Sequence, residues 1–536
     1  MKRIFVTFLG ISTIALAADN TRHDKKSEKP NVIVILADDM GYSDIGSYGS
    51  EIHTPHIDRL ASEGIRFTQF YNAARCCPTR AALLTGMYHH RAGMGGMTGT
   101  GIELPAYQGY INDESMTMGE VFQSGGYKTY LSGKWHVGDA EASWPANRGF
   151  DESFCVIGGA ADYFDPYKGD YKKIKMVRNR EQYIPPDSGF YMTDAISEQA
   201  VDFIGDHVAS DPETPFLLYL AYTAPHWPLQ APAEDIERYS DTYRVGWDSI
   251  RLNRYKRMQQ LGIIDQGTRL TDRDETVPAW DSLTGEEQSA WARKMAVYAA
   301  MVDRMDQGIG SVLDVLDKKG ISENTIVIFL SDNGGCMELA EQFGKNQPGS
   351  DPGGPGSFIS YEANWANASN TPFRYFKHWM HEGGIATPFI IRYPEAVTAN
   401  SWRHAPAHII DVVPTLMAYT GVNRPETYRG KALKPMDGKS LVPVLEGDDR
   451  TVHEALYWEH LGFRAVRKGD WKLVSTFPDE KWALYNLQED RSETTDLSAA
   501  FPDKVTELDK LYVQWAERSE VMPWKEARKY RRRRNN

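Results

Sequence analysis

The stretch NVIVILADDMG, residues 31–41, joins an unbroken apolar run to a pair of acidic residues. A short continuous apolar run of this kind is typical of a strand that is buried on both faces of a parallel sheet. Asp38 and Asp39 come directly after the run, where the strand is expected to end. The stretch therefore predicts a central strand with two carboxylates at its carboxyl end.

Three further apolar runs end in the same way, each in polar residues. They are TIVIFLSDNGG (325–335) with Asp332 and Asn333, YKTYLSGKWHVG (127–138) with Lys134 and His136, and PFLLYLAYTAPHWPL (215–229) with His226. Segments with helical spacing, such as residues 295–320, lie between these runs, and the alternation predicts an α/β fold. In open α/β sheets the site forms beyond the carboxyl ends of the strands, where these polar residues are expected.

The acidic strand ends have the composition of a metal site. Asp38, Asp39 and Asp332, with the amide oxygen of Asn333, are oxygen donors that suit a hard cation such as Ca²⁺ or Mg²⁺. A single aspartate at such a position also serves as a helix N-cap or a turn residue. Because two strand ends carry the same pattern, the sequence favours a metal site for the group.

Composition and charge exclude some classes of partner. The chain of 536 residues has 60 basic and 73 acidic residues and a net charge of -13, which argues against a broad nucleic-acid surface. Any anion site must therefore be local. A chain of this size can build large hydrophobic cores without disulfide bonds. The presence of four cysteines therefore leaves the number of disulfides open.

The N-terminus has the features of an export signal. Residues 1–17, MKRIFVTFLGISTIALA, combine a basic start, an apolar core and an Ala-Leu-Ala ending. The core is shorter than a membrane span, and no later run approaches one, so we expect no stable membrane insertion. The chain is therefore expected to be exported, to the periplasm or the outside of the cell.

The stretch NAARCCPTRAALLTG, residues 72–86, places two cysteines at what reads as a helix start. Cys76, Pro78 and Arg80 have the spacing Cys-x-Pro-x-Arg, which resembles the signature of the type I sulfatases within the alkaline-phosphatase superfamily. In that family the cysteine is oxidised to formylglycine, whose hydrated aldehyde offers one hydroxyl to attack sulfur and a second to expel the sulfate. On this register Cys76 is the modified residue and Cys77 occupies a variable position. The alternative is a structural Cys-Cys-Pro turn.

Further blocks extend the resemblance over nearly all of the chain. They include ILADDMGYSDIGSYG (35–49), TPHIDRLASEGIRFTQFY (54–71), GKWHVG (133–138), APHWPLQAP (224–232), LSDNGG (330–335) and KHWMHEGGIATPFIIRYP (377–394). The block around residues 225–264 is most similar to the bacterial arylsulfatase branch. The resemblance implies Ca²⁺ ligands, with Mg²⁺ as the alternative, at Asp38, Asp39, Asp332, Asn333 and the modified Cys76.

The resemblance also implies roles for basic side chains. Arg80 and Lys134 would hold the sulfate or the diol, and His136 would take the proton of the diol during sulfate release. His226 and Lys377 would contact the sulfate and the bridging oxygen, and either would protonate the leaving alcohol. Because all these groups concentrate positive charge locally, an acidic protein is able to bind a sulfate ester. Asp162, Tyr163 and Arg374 are suggested as contacts of a substrate subsite.

The implied architecture is a large mixed, mostly parallel sheet flanked by helices, of the alkaline-phosphatase type, with a smaller C-terminal α+β domain. The predicted segments are a signal peptide (1–17), a linker (18–30), a sulfatase catalytic domain (31–400), the C-terminal domain (401–520) and a basic tail (521–536). In the C-terminal domain, alternating segments at 464–477 and 481–487 predict antiparallel strands, and residues 503–519 predict an amphipathic helix.

Three functions are compatible with these residues. The first is hydrolysis of a sulfate monoester of a sugar or an aryl alcohol, which requires a formylglycine-generating or sulfatase-maturing enzyme as a partner. The second is hydrolysis of a phosphonate or phosphate diester by the same groups. The third is a silent receptor for sulfated glycans, which the intact Asp, Asn, Cys, Arg, Lys and His positions disfavour.

Overall fold

The computed structural model describes residue 1 and residues 29–167, 175–448 and 450–531. The predicted signal peptide after Met1, the linker up to residue 28 and the last five residues of the basic tail lie outside the described residues. Within the described part of the chain, no helix has the length and apolar character that a membrane span requires.

The strands are β1 (Asn31–Ala37), β2 (Ile65–Phe67), β3 (Phe70–Tyr71), β4 (Lys128–Lys134), β5 (Glu152–Val156), β6 (Met176–Arg178), β7 (Glu181–Gln182), β8 (Phe216–Ala221), β9 (Thr325–Ser331), β10 (Phe389–Arg392), β11 (Ser401–Arg403), β12 (Ala407–His408), β13 (Thr427–Tyr428), β14 (Lys431–Ala432), β15 (Leu456–His460), β16 (Phe463–Lys468), β17 (Trp471–Ser475) and β18 (Trp482–Asn486).

The α-helices are α1 (Pro55–Glu63), α2 (Cys76–Thr85), α3 (Met118–Ser124), α4 (Met192–Ser210), α5 (Ala233–Glu237), α6 (Gly246–Gln260), α7 (Gly285–Lys319), α8 (Glu362–Ser369), α9 (Glu382–Ile385), α10 (Val412–Thr420), α11 (Val442–Leu445), α12 (Pro502–Arg518) and α13 (Trp524–Ala527).

A ten-stranded sheet forms the centre of the molecule, with the order β11-β2-β10-β9-β1-β8-β4-β5-β6-β7. Its middle strands β9, β1, β8, β4 and β5 are parallel to one another, while β10 and β6 join them antiparallel. The predicted mixed, mostly parallel sheet is therefore confirmed. Because β1 lies between β9 and β8, residues 31–37 form a central strand of this parallel group.

The side chains of β1 alternate between two cores. Ile33 and Ile35 pack with residues of α1, α4 and α7 on one face, and Val32 and Val34 pack with residues of α2, α3 and α10 on the other. All residues from Val32 to Ala37 have zero solvent exposure. This two-sided burial explains why the strand reads as a continuous apolar run and not as an alternating one.

The smaller C-terminal sheet is antiparallel, with the order β15-β16-β17-β18, and α12 packs against it. The predicted strands and closing helix of this part are confirmed. The large sheet takes in β11 at residues 401–403, just beyond the predicted boundary at 400. The C-terminal sheet contacts the loop before Cys76. Trp458 Nε1, on β15, donates a hydrogen bond to the carbonyl of Asn72 in that loop at 2.8 Å.

Candidate active site

Four neighbouring parallel strands bring the predicted residues to one edge of the sheet. Asp38 and Asp39 follow β1, Asp332 and Asn333 follow β9, Lys134 is the last residue of β4, and His226 lies in the loop after β8. These strands are adjacent in the order β9-β1-β8-β4, so their carboxyl ends converge. Residues that are far apart in sequence therefore meet without any special loop geometry.

The three carboxylates form one cluster. Asp38, Asp39 and Asp332 each offer an oxygen within 4.8 Å of the others, and all three are buried. Asp39 has a positive φ of 67°, a conformation that aspartate tolerates better than most residues. Its backbone N–H donates to Asp332 Oδ1 at 3.2 Å, and Asn333 Nδ2 donates to Asp39 Oδ1 at 2.7 Å. Backbone and amide donors thus hold the carboxylates close together.

Three buried basic side chains face the three carboxylates. Lys134 Nζ lies 2.5 Å from Asp38 Oδ2, and Lys377 Nζ lies 2.9 Å from Asp39 Oδ2. Arg80 Nη2 is 3.0 Å from Asp332 Oδ2 and 3.5 Å from Asp38 Oδ2. The side chains alone are therefore close to charge balance, and a bound divalent cation would give the site a net positive charge that suits a sulfate ester.

The pKa values of Asp38 and Asp332 are shifted in opposite directions. Burial acts to raise the pKa of Asp38, but Lys134, His226 and Arg80 together lower it below its usual value. Burial and the charge of Asp38 raise the pKa of Asp332 to about 7, although Arg80 and Lys134 oppose the rise. Carboxylates at this separation do not all ionise easily without a further positive charge.

Two buried oxygens fit a cation. Asp38 Oδ1 and Asn333 Oδ1 have no hydrogen-bond donor among the described residues. Buried acceptors of this kind are ordinarily paired with a donor or an ion. Both belong to the cluster of oxygen donors, which is the ligand type that Ca²⁺ and Mg²⁺ prefer. The residues present therefore fit a hard divalent cation.

Cys76 is the first residue of α2. Arg75 before it has an extended backbone, and no acidic side chain lies in the first turn of the helix, so the positive end of the helix dipole is not neutralised there. The Cys76 thiol, an Asp38 oxygen and a His226 nitrogen lie within 4.8 Å of one another. Burial raises the pKa of the thiol, although Lys377 and Lys134 act against the rise. Arg80, one turn along the helix, reaches Asp332 and also donates to the carbonyl of Lys134 at 3.0 Å.

The loop that carries Lys377 approaches the site at two Gly-Gly pairs. A Cβ at Gly334 would lie 1.9 Å from the carbonyl oxygen of Gly383, so only glycine permits this approach. Lys377 N donates to the carbonyl of Gly335 at 3.0 Å, and Gly334 N donates to that of Gly384 at 3.1 Å. The Gly-Gly pairs at 334–335 and 383–384 are therefore what position Lys377.

The two histidines differ in their contacts. His226 Nε2 lies 3.4 Å from both Asp39 Oδ2 and Lys377 Nζ, and its Nδ1 donates to the carbonyl of Trp227 at 2.6 Å. His136, two residues beyond β4, has a positive φ of 55° and an Nδ1 without a partner among the described residues. Burial, Lys134 and Arg80 lower the pKa of His136 well below its usual value. The structure thus brings all the predicted site residues into one buried region.

Glu338 is a contact of the site that the sequence did not identify. Its Oε2 lies 3.5 Å from Lys377 Nζ and accepts from Trp227 Nε1 at 3.1 Å, while Oε1 accepts from Arg75 at 2.6 Å. No periodic pattern marks this residue, since it lies in a loop after β9. The only feature of the sequence that pointed to Glu338 as a site residue was its position, five residues after Asn333.

The suggested substrate contacts in loops are engaged within the protein. Tyr163, buried, donates through its hydroxyl to the carbonyls of Thr223 at 2.6 Å and His226 at 3.0 Å, so it supports the His226 loop. Asp162 accepts a hydrogen bond from Gln230 at 2.8 Å. Arg374 lies over the ring of Tyr375 and donates to the carbonyl of Glu493. The four cysteines, all in the described part of the chain, are free thiols, which answers the open question of disulfide number.

Comparison with protein-family models gives two matches. The Sulfatase model matches residues 30–422. The model described as N-sulphoglucosamine sulphohydrolase, C-terminal, matches residues 372–510. Together the two models cover both the large sheet and the smaller C-terminal sheet.

Known proteins give a consistent result. The chain is 36% identical over 521 residues to an uncharacterized sulfatase of Schizosaccharomyces pombe, covering 90% of this chain and 92% of that protein. It is 37% identical over 437 residues to an arylsulfatase of Klebsiella aerogenes, covering 79% of this chain and 93% of that protein. The structure of Ps i-CgsB in complex with k-i-k-neocarrahexaose superposes with a TM-score of 0.68 at 27% identity, covering 92% of this chain and 94% of that one.

Proposed function

This chain belongs to the sulfatase family and is a sulfuric ester hydrolase, and we propose that it releases inorganic sulfate from sulfate monoesters of aryl alcohols or sugars. One observation carries the proposal. Three buried basic side chains and three carboxylates converge on the N-terminus of α2, where Cys76 is the first residue. Such a site concentrates positive charge on an anion while it keeps oxygen ligands for a metal.

We propose that Ca²⁺, with Mg²⁺ as the alternative, is held by Asp38, Asp39, Asp332, Asn333 and the side chain at position 76. When bound, the cation would neutralise charge on the sulfate oxygens and allow all three carboxylates to ionise. The partnerless oxygens of Asp38 and Asn333 support this assignment.

The proposed nucleophile is formylglycine, made from Cys76 by a formylglycine-generating or sulfatase-maturing enzyme. Its hydrate would supply one hydroxyl to attack sulfur, with the alcohol as the leaving group. Deprotonation of the second hydroxyl, with cleavage of the C–O bond to the sulfate, would release sulfate and regenerate the aldehyde. We propose that the chain is exported to the periplasm or the outside of the cell, because residues 1–17 have the features of an export signal.

The remaining residues act by charge and by proton transfer. Arg80 and Lys134 bind oxygens of the sulfate or orient the side chain at position 76, since both lie next to the carboxylate cluster. His136 accepts the proton of the diol. Lys377 and His226 both contact Asp39, and we assign to them the oxygen that bridges sulfur and the leaving alcohol.

Turnover and mass analysis test the proposal together. We expect purified, matured protein to release sulfate from 4-nitrophenyl sulfate or from defined sulfated saccharides such as carrageenan oligosaccharides. Mass analysis should find the aldehyde or its hydrate at position 76. Faster hydrolysis of a phosphonate monoester or a phosphate diester would assign the site to that reaction instead, and binding of sulfated glycans without turnover by matured protein would make it a receptor.

A further inference from the structure

Three large exposed apolar side chains lie in one short stretch beside the site. Met337 is 38% exposed, Leu339 is 41% exposed and Phe343 is 52% exposed. The stretch follows Asn333 within a few residues and contains a 3-10 turn at Ala340–Gln342. Exposed apolar residues are ordinary when scattered, but their concentration next to a binding site indicates a contact surface.

An aromatic stack joins this surface to the site. The ring of Phe343 stacks on that of Trp227, with centroids 4.9 Å apart and planes 16° from parallel. Trp227 follows His226 in the chain, and their ring centroids are 4.7 Å apart. Exposure increases along this series, from the buried His226 through the half-buried Trp227 to the exposed Phe343. We call Trp227 and Phe343 the aromatic platform.

Glu338 fixes the platform relative to the reacting groups. Its carboxylate accepts from Trp227 Nε1 and from Arg75, and it lies 3.5 Å from Lys377 Nζ. Arg75 directly precedes Cys76. A single carboxylate therefore connects the platform to both sides of the position where the ester bond is expected to lie.

We propose that the aromatic platform binds the aromatic ring of an aryl sulfate, the alcohol half of the substrate, a proposal that rests on the proposed sulfatase activity. The polar groups of the platform are already used, since Trp227 Nε1 donates to Glu338 and both oxygens of Glu338 accept from neighbours. The indole N–H of the platform is therefore already engaged, and ring surface is what the platform offers to a ligand. A sugar would need partners for its hydroxyls, whereas an aromatic ring gains from stacking alone.

Substitutions at Phe343 test the platform. We expect Phe343→Ala to raise KM for 4-nitrophenyl sulfate by roughly three- to tenfold with little change in kcat, because stacking binds the ring equally before and during reaction. Phe343→Tyr should keep the wild-type KM. Phe501→Ala is the matched control, since Phe501 is 46% exposed and packs on Trp471, near the C-terminal sheet.

Two further probes separate the platform from the sulfate pocket. Inhibition by inorganic sulfate, which has no ring, should be unchanged in Phe343→Ala. Galactose 6-sulfate, measured as substrate or as competitive inhibitor, should be weakened less than 4-nitrophenyl sulfate. An unchanged KM for the aryl ester, an equal or larger loss for the sugar ester, or a parallel loss of sulfate inhibition would each overturn the proposal.

The platform can be tested without turnover. Calorimetry should show that 4-nitrophenyl sulfate binds Cys76→Ala, and that adding Phe343→Ala weakens the binding by the same three- to tenfold factor, about the size of one stacking contact. If the wild type hydrolyses no sulfate ester but this difference persists, the proposed function fails and the platform stands. If turnover is found but the difference is absent, the platform fails alone.

Discussion

Nζ of Lys377 lies 2.9 Å from Oδ2 of Asp39, although 338 positions separate the two residues in the chain. The contact closes the site, because it brings the loop before α9 over the carboxyl end of β1. The same ammonium lies 3.4 Å from His226 Nε2 and 3.5 Å from Glu338 Oε2. Lys377 therefore links the carboxylate cluster to His226 and Glu338.

The first prediction concerns the choice of cysteine. Cys76→Ala should reduce turnover to background and leave the fold intact, because Cys76 forms no disulfide and lies at a helix start. Cys77→Ala is the control. Cys77 packs in the apolar core, so its loss should cost about 1 kcal/mol of stability while turnover persists. Greater damage to turnover from Cys77→Ala would show that the register of the motif is wrong.

The second prediction concerns the metal. Calcium titration of chelator-treated protein should show one tight site, and Asp332→Ala should weaken it by more than the roughly 10- to 100-fold that loss of an outer-shell partner costs. Bound calcium should also raise the melting temperature of the wild type, since it binds the folded state alone. Asp314→Ala, an exposed acid on α7, is the control and should bind calcium normally. Equal calcium affinity in the two variants would contradict the assignment.

Much of the site was predictable because it follows buried strands. The apolar runs of β1 and β9 are typical of strands that are buried on both faces of a parallel sheet, so Asp38 and Asp332 could be placed at one sheet edge from sequence alone. Cys76 was identified by the spacing of Pro78 and Arg80. Both signals are local in sequence, and the parallel sheet supplies the rest of the geometry.

Loop residues could not be placed in the same way. The stacking of Phe343 on Trp227 and the contacts of Glu338 depend on the path of the loop after β9, which has no periodic pattern. Tyr163 lies in a variable loop that suggested substrate contact, yet its hydroxyl bonds the carbonyl of His226. Backbone hydrogen bonds and close glycine contacts determine such paths, and they join residues that are distant in sequence.

The third prediction concerns the junction of the two sheets. His90 follows α2 in the chain, and its Nε2 is 2.7 Å from Oε2 of Glu459 on β15. The other oxygen of Glu459, Oε1, accepts a hydrogen bond from Gly462 N at 2.7 Å. Burial raises the pKa of Glu459 to about 8, against the Gly462 N–H and Arg464, and burial lowers that of His90 to about 3. At neutral pH the pair is therefore uncharged, with Glu459 donating to His90.

This pair gives a pH dependence of defined sign. The folded-state pKa of Glu459 is above its ordinary value of 4.5, so its contribution to stability is complete below pH 4.5 and is lost as pH rises to about 8. Glu459→Gln keeps both hydrogen bonds and cannot ionise. Relative to wild type, the variant should gain stability as pH rises from 4.5 to 8, by a few kcal/mol at most. A difference between the two proteins that is constant with pH would mean that Glu459 is ionised in the folded state.

The last prediction concerns protonation of the leaving alcohol. His226 Nδ1 is held by the carbonyl of Trp227, so Nε2 is the nitrogen that gains and loses a proton. Burial acts to lower the pKa of Lys377, but Asp39 and its other anionic neighbours raise it, which makes the ammonium a weak acid. Burial lowers the pKa of His226, with Lys377 and against Asp39, so its imidazolium is the stronger acid of the two, and we expect His226 to carry the larger share of proton donation. A sugar alcohol is a poor leaving group and needs that proton, whereas a nitrophenolate leaves without it.

His226→Ala should therefore slow a sugar sulfate by roughly 10²- to 10⁴-fold and 4-nitrophenyl sulfate far less. Lys377→Ala should weaken binding of both esters, because it removes one of the three buried positive charges of the proposed sulfate pocket. The double variant should lose less than the product of the single losses, since Nζ and Nε2 are 3.4 Å apart and act on one oxygen. If His226→Ala lowers kcat/KM by the same factor for both esters, the imidazole binds the sulfate and the proton comes from another group.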